Sequence, residues 1–465
     1  MTFEDLKDEI IALIEATELR TRSRKAENKL YFDYAVRQIL IDLWKSLRSI
    51  PAGEVSINKR SGYYSENKRY RDPYLTYTQT MAAFNGLERL GFIEITKKGY
   101  FDRNHFHGKV TRFIAKGDLL AKLSELKAHP AITLSSPSNT ETILLRDRID
   151  GKRTLIDYED DELTVGYREN ISELNSCFLR HWCDLEIRDV EVAKLEERIR
   201  NHKTKEPVDF SKRSLVRIFT NGSFKQGGRF YRGWWQNVPR EYRQYITINE
   251  KRTGEGDFSQ LNPHMLYLRN NKELGSEDAY GRVFEGEHRD LVKEAFNAMI
   301  QATSPLNNCP KDIDLSELNM TWKELRNRIL TAHEPIAHEF FKGIGNELQF
   351  EDSCIAESVM LHFAKMDSPA LPVHDSFILF HGFCENGEVE EAMRRAFFER
   401  FHADIPIKQE IIDWTYRKDT EDRNGNNFRP LDIETILQAD NDVLKWRERH
   451  SLWYKHKELS SSHSP

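Results

Sequence analysis

Apolar residues recur at helical spacing in two stretches near the start of the chain. They are Leu6, Ile10, Leu13 and Ile14, then Tyr34, Ile39, Leu40, Leu43 and Leu47. Residues 3–48 are therefore expected to form two helices, and Pro51 and Gly53 end the pattern. The stretch YLTYTQTMAAFNGLERLG, residues 74–91, predicts an amphipathic helix that stops at Gly91. Alternation follows: FIEIT and VTRFIA predict two strands joined by the charged turn KKGYFDRNHFHGK. Helix, strand, basic tip, strand is the order of an α/β winged-helix module, which usually lays the helix in a groove and the wing on the phosphate backbone. Lys68, Arg69, Arg71, Lys97, Lys98, Arg103 and Lys109 lie near that helix and wing. Lys97, Lys98 and Arg103 are the expected nucleic-acid contacts.

Residues 128–142 are rich in Pro, Ser and Thr and mark the best boundary, a linker after a first domain over 1–127. Residues 143–210 mix a short strand at 143–145 with helices, notably 187–201, and 163–174 adds another short strand and helix. A mixed α/β pattern runs from 214 to about 413, so one domain is assigned to 211–413. The segment 414–465 is polar and predicts partly ordered helices ending in a frayed tail. The chain contains no internal repeat.

Composition changes this picture in two ways. With 465 residues, the chain has room for two to four domains. It contains no run of 18 apolar residues, which excludes a transmembrane helix, and its start, MTFEDLKDEI, lacks the apolar core of a secretory signal. Its five cysteines form no CxxC pair, so neither a disulfide framework nor a zinc ribbon is expected, and a cytoplasmic location fits.

The net charge of −6, taken alone, argues against a nucleic-acid binder. Along the chain, however, residues 1–50 are neutral, 51–128 carry +6 and the remainder carries −12. Within that acidic remainder, 211–250 carries +6 and interleaves its cations with Phe224, Phe230, Tyr231, Trp234, Trp235, Tyr242 and Tyr245. Cations beside aromatic faces suit phosphates and stacked bases, although Trp234 and Trp235 are expected in the core.

Two acid-bearing turns carry the chemistry. In GEGDFSQLNPHMLYL, residues 254–268, an extended stretch reaches Asp257 and a tight turn follows. Asn262 and Pro263 there look like an N-cap and first helical residue. In ALPVHDSFILF, residues 370–380, apolar flanks around His374-Asp375-Ser376 predict a β-hairpin. Carboxylates on adjacent strand ends can hold two Mg²⁺ ions whose shells substrate phosphates complete. Between the two turns, Arg289, Lys293 and Asn297 fall on one face of a predicted helix over 286–302. That face suits a triphosphate.

The order GGRFY, WQNVP, GDFSQL, RDLVKEAFN, LPVHDSF resembles the polymerase core shared by family A DNA polymerases and phage-type single-subunit RNA polymerases. The match covers roughly 211–410. Motif A is matched by Asp257-Phe258-Ser259-Gln260-Leu261, motif B by Arg289 and Lys293, and motif C by Val373-His374-Asp375. Gly228-Arg229 and Gln236-Asn237-Val238-Pro239 match the upstream element that touches the primer–template duplex.

The resemblance implies an α+β fold: a right-hand palm and compact fingers over 211–413, with a helical thumb-like connecting region over 143–210. It implies template-directed transfer from a nucleoside triphosphate to a primer 3′-hydroxyl on a DNA primer–template, in replication or repair. Asp257 and Asp375 would bind two Mg²⁺, replaceable by Mn²⁺. Arg289, Lys293, Asn297, Asn262 and Tyr280 would meet the nucleotide. Arg229, Gln236, Asn237, Gln349 and His374 would meet nucleic acid.

The chain also departs from the family. Asn262 stands where the DNA enzymes usually have Glu, Ser376 follows the RNA-polymerase branch, and the later turns of motif B carry Asn297 and Gln301. An RNA polymerase or primase-like enzyme is therefore the alternative on the same palm. Other classes are a non-catalytic DNA-binding initiator and an untemplated nucleotidyltransferase. No proofreading motif is apparent.

Overall fold

The computed structural model describes residues 2–18, 22–66, 68–102, 107–126, 141–202, 206–275, 277–316, 318–411 and 443–461. The opening amphipathic stretch forms α1 (Phe3–Thr17), which begins where Thr2 and Asp5 cap each other reciprocally. Its apolar stripe packs with α2 (Ala26–Arg48), and β1 (Val55–Ile57) follows. Then come α3 (Tyr77–Arg89), β2 (Ile93–Lys97), β3 (Tyr100–Asp102), β4 (His107–Lys109), β5 (Thr111–Ala115) and α4 (Gly117–Glu125). β5 lies between β1 and β2 in an antiparallel sheet, and β3 and β4 pair as a separate ribbon at its tip. One apolar core, from Phe3 to Leu126, joins these elements.

A second core runs from Ile143 to Ile405 and takes in Ile50. It begins with β6 (Ile143–Ile149), β7 (Lys152–Leu155), α5 (Glu162–Arg180), β8 (Cys183–Leu185) and α6 (Asp189–Asn201). The segment 143–210 is thus not a helical unit, as expected above, but supplies strands to two sheets. Nor does 163–174 hold a strand: Asp161 caps α5 through the Thr164 N–H at 2.8 Å, and one helix runs through the whole stretch. β9 (Val216–Thr220) and β10 (Ser223–Tyr231) complete a sheet of order β10-β9-β6-β7, in which only β6 and β9 are parallel.

After the short α7 (Arg240–Arg243) come β11 (Ile246–Ile248) and β12 (Lys251–Phe258), and the chain then turns helical. α8 (Leu261–Arg269), α9 (Arg289–Gln301), α10 (Trp322–Ala332) and α11 (Gly345–Lys365) precede β13 (Leu371–Val373) and β14 (Ser376–Phe380). α12 (His381–Glu385), α13 (Glu388–Phe401), β15 (Ile407–Ile411) and α14 (Leu444–Ser461) finish the chain. The central sheet runs β13-β14-β12-β11-β8. The C-terminal half of β12 is paired antiparallel with both β14 and β15.

Buried charges tie the parts together. Arg217, fully buried on β9, donates to the Gly228 carbonyl at 2.8 Å and to Ser353 Oγ at 3.0 Å, and pairs with Glu357 at 2.9 Å. That fixes α11 across β9 and β10. Arg449 of α14 forks onto the buried Asp184 at 2.7 Å. Arg69 pairs with Glu141 at 3.2 Å, Asp157 at 2.8 Å and Asp160 at 3.1 Å, and its guanidinium lies 4.0 Å from the Tyr158 ring centroid. Arg69 is thus committed to the junction of the two cores rather than to a ligand beside α3. The expectations for 128–140 and 414–442 fall outside the described residues.

α13 lies so close to β12 that a Cβ on Gly256 would come within 2.7 Å of Val389 and 2.9 Å of Met393 Sδ. Gly256→Ala is expected to destabilise the protein by roughly 1–3 kcal/mol through overpacking beside Asp257. Urea unfolding checks it, and an unchanged midpoint would show that α13 can yield.

Candidate active site

β12 ends at Phe258, and the antiparallel register sets Asp257 opposite Ser376, the residue after Asp375. The Phe258 N–H donates to the Asp375 carbonyl at 3.4 Å. Two half-buried carboxylates, distant in sequence, thus meet at neighbouring strand ends. Burial and then the Asp375 charge push the Asp257 carboxyl up to about 7, against an opposing pull from Lys293. His374, at the exposed hairpin tip, takes the left-handed conformation (φ 60°) that the tight turn between β13 and β14 requires.

The turn after Asp257 differs from the sequence expectation. The residue before the helix is Gln260, left-handed at φ 58°, and α8 starts at Leu261. Asn262 is inside the helix rather than its N-cap, because the left-handed residue turns the chain two positions earlier. Freed from capping, the Asn262 amide donates to Asn297 Oδ1 at 3.0 Å, linking α8 to α9. Gln260 Oε1 accepts from the Ala279 N–H at 2.5 Å, which holds the loop carrying Tyr280 against this turn. His333, fully buried, bonds the Tyr267 hydroxyl at 3.1 Å and the Ala279 carbonyl at 3.0 Å.

α9 begins at Arg289 and carries Arg289, Lys293 and Asn297 on one side. Lys293 is exposed and acts on Asp257. Arg289 pairs with Asp278 at 2.6 Å, and its guanidinium carbon is 5.4 Å from the Tyr280 ring centroid. Tyr280 is buried beneath α9, edge-on to Phe296 with centroids 5.6 Å apart. Burial, then the Asp375 charge, raises its hydroxyl pKa.

On the other side of Asp375 lies a cleft of about 310 Å³, lined by Arg229, Gln236, Asn237, Asp352, Pro372 and His374 among others. Arg229 Nε and Nη2 both reach Asp352 Oδ2, at 2.6 and 2.5 Å. Gln236 spends its amide nitrogen on the Phe230 and Pro372 carbonyls, at 2.9 and 3.1 Å, and the Trp235 indole donates to Pro372 as well. Gln236 therefore braces the hairpin and offers only its oxygen outward. Asn237 Nδ2 is 3.5 Å from the Pro207 carbonyl. Gln349 lies half-buried on α11. Trp234 and Trp235 are core residues, 0 and 1% exposed.

The structure thus brings Asp257, Asp375, Lys293, Arg289, Asn297, Asn262 and Tyr280 to one place, with Arg229, Gln236, Asn237 and His374 along its flank. Lys97 and Lys98 lie elsewhere, exposed on the β2 tip, and Lys97 is 3.5 Å from Glu54. Arg103 is outside the described residues. Sequence reading missed Asp352 and Asp278, and gave Gln260 no role beyond its place in motif A. Asp352 had a signal: it interrupts the apolar stripe Leu348, Ile355, Val359 of α11, where an unpaired charge would be costly.

Two carboxylates with no thiol or imidazole ligand match a hard cation such as Mg²⁺. Among the described residues the donor atoms of Cys177, His181 and Asp367 also come within 4.8 Å of one another. Asn249 argues against a metal there. Its Oδ1 accepts from the Trp182 N–H, which turns its Nδ2 to His181 Nδ1 at 2.8 Å. The ring proton then sits on Nε2, 3.3 Å from Asp367, and Arg180 takes the same carboxylate at 2.7 Å.

The raised Asp257 pKa sets the sign of a pH effect. Its contribution to stability is full below the ordinary carboxylate range near 4 and is lost as pH rises through about 7. Asp257→Asn is expected to melt above wild type at pH 8, by roughly 1–2 kcal/mol in stability, and to show little gain at pH 4. Calorimetric scans at both values check this; equal pH slopes would refute it.

No protein-family model matches the chain, and no curated protein matches it. Among the described residues, no helix is long and apolar enough to cross a membrane. Among solved structures the chain is similar to the POL domain of Pol1 from M. smegmatis, in complex with DNA primer-template and dNTP, at 13% identity and a TM-score of 0.30. The similarity covers 47% of this chain and 49% of that one, so the chain spans about half the length of that protein.

Proposed function

We propose that the protein is a template-directed nucleotidyltransferase, a DNA-synthesising polymerase with a two-carboxylate metal site at Asp257 and Asp375. One observation carries this: the pairing of β12 with β14 joins two carboxylates at strand ends, and Lys293, on the α9 face it shares with Arg289 and Asn297, acts on Asp257. Cations set against a carboxylate pair suit a substrate that brings its own phosphates. Bound Mg²⁺ would lower the pKa of an attacking hydroxyl and neutralise the departing pyrophosphate.

The chain's own residues do the rest. Asp257, at the end of β12, and Asp375, in the turn before β14, are held near each other by the pairing of those strands. Lys293 and Arg289 meet the triphosphate, with Arg289 leaving Asp278 to do so. Asn262, Asn297 and Tyr280 line the nucleotide side. Arg229, Asn237, His374 and the Gln236 oxygen line the primer side, and Gln349 the template side. The N-terminal unit reads as a winged helix whose tip lysines, Lys97 and Lys98, add salt-sensitive affinity for the duplex.

Extension of a labelled primer–template with Mg²⁺, run with each nucleotide set, tests the proposal. Asp257→Asn and Asp375→Asn are expected to abolish incorporation with unchanged circular dichroism. Lys293→Ala is expected to lower it about 10²–10³-fold, the scale of losing one transition-state electrostatic contact. Normal extension by either Asp variant would end the assignment, and incorporation of ribonucleotides alone would make the enzyme RNA-synthesising.

A further inference from the structure

The Arg229–Asp352 pair has no part in the two-carboxylate chemistry, yet it is built at a cost. Asp352 is 2% exposed, in the middle of α11, and the Arg229 side chain beside it is 22% exposed. A buried ion pair is weak evidence of stabilisation, because desolvation offsets most of the attraction. The geometry is also not the bidentate fork that maximises such a pair. Arg229 places Nε and Nη2, its side edge, on a single oxygen, Asp352 Oδ2. Both side chains line the same cleft as His374, whose neighbour is Asp375.

Arg229 is therefore bonded to the carboxylate on α11, in a cleft it shares with His374, and within electrostatic reach of Asp375 on the hairpin. Burial works against its charge, and Asp352 first and then Asp375 hold that charge in place. An arginine that moved from Asp352 to Asp375 would occupy the oxygens a dication needs. The Gly228 carbonyl and Ser353 Oγ, both bound by Arg217, hold β10 and α11 together on either side of the pair, which keeps the Asp352 position rigid.

We propose that Asp352 is a positioning residue of the metal site: it retains the Arg229 guanidinium on the cleft wall and so leaves Asp375 open to a divalent cation. This rests on the metal-site assignment of Asp257 and Asp375. Asp352 touches no substrate and acts only through Arg229. Its removal should weaken cation binding, and removal of the arginine as well should restore it. A residue needed only for packing would not show that reversal.

The experiment is Mn²⁺ binding to the full chain, followed by electron paramagnetic resonance without nucleotide or DNA, with Asp375→Asn as the baseline. Asp352→Asn is expected to weaken binding roughly tenfold, the scale of one uncompensated charge within a few ångströms. The double variant Arg229→Gln/Asp352→Asn is expected to recover wild-type affinity. Wild-type affinity in Asp352→Asn alone would overturn the proposal. So would a double variant as weak as the single one, which would mark Asp352 as a packing residue. Wild-type binding no better than the Asp375→Asn baseline would instead remove the metal site itself, and with it the proposed function.

Discussion

The site depends on a repulsion that the backbone enforces. β12 and β14 pair antiparallel, and their register sets Asp257 against the residue beside Asp375. The ladder fixes the backbone from which both side chains project, and burial raises the cost of the shared negative charge. The result is a carboxyl held near 7 in a protein whose other buried acids are mostly paired with arginine. Strand pairing, close packing at Gly256 and the left-handed Gln260 all maintain this arrangement.

The surrounding cations follow a common pattern. Arg289 lies on Asp278 and Arg229 on Asp352, so two arginines near the carboxylate pair are each held by an acid. Lys293, one turn along α9 from Arg289, is instead exposed and turned toward Asp257. Each guanidinium is thus answered by a carboxylate within the fold, whereas an unpaired buried guanidinium would be costly. This links the packing of the cleft to the chemistry proposed for it. It also explains why net charge says little about ligands: the local field is set by which charges are already answered.

Much of the architecture was legible along the chain. The helical spacing at 3–48, the alternation in FIEIT and VTRFIA and the hairpin at His374-Asp375-Ser376 all correspond to elements of the structure. Local pattern failed where a distant partner decided the outcome. Asn262 looked like a helix cap because Asn-Pro commonly opens a helix, but Gln260 could adopt the left-handed turn because the Ala279 N–H rewards its side chain. Arg69 looked like part of a basic face, but three carboxylates across the junction neutralise it. Gln236 offers a ligand only its oxygen, because the Phe230 and Pro372 carbonyls take its amide nitrogen.

The sequence by itself determined which residues are candidates for the proposed chemistry. Asp257 stands at the end of an extended segment and Asp375 at the tip of an apolar hairpin, and Arg289, Lys293 and Asn297 share a helix face, because such features follow from periods of two and 3.6 residues. Only the tertiary structure decided which charges remain available. Arg229 and Asp352, like Arg217 and Glu357, pair across more than a hundred residues of sequence. No local period encodes such separations: whether a charged side chain is spent or available depends on which other charge the fold has brought beside it.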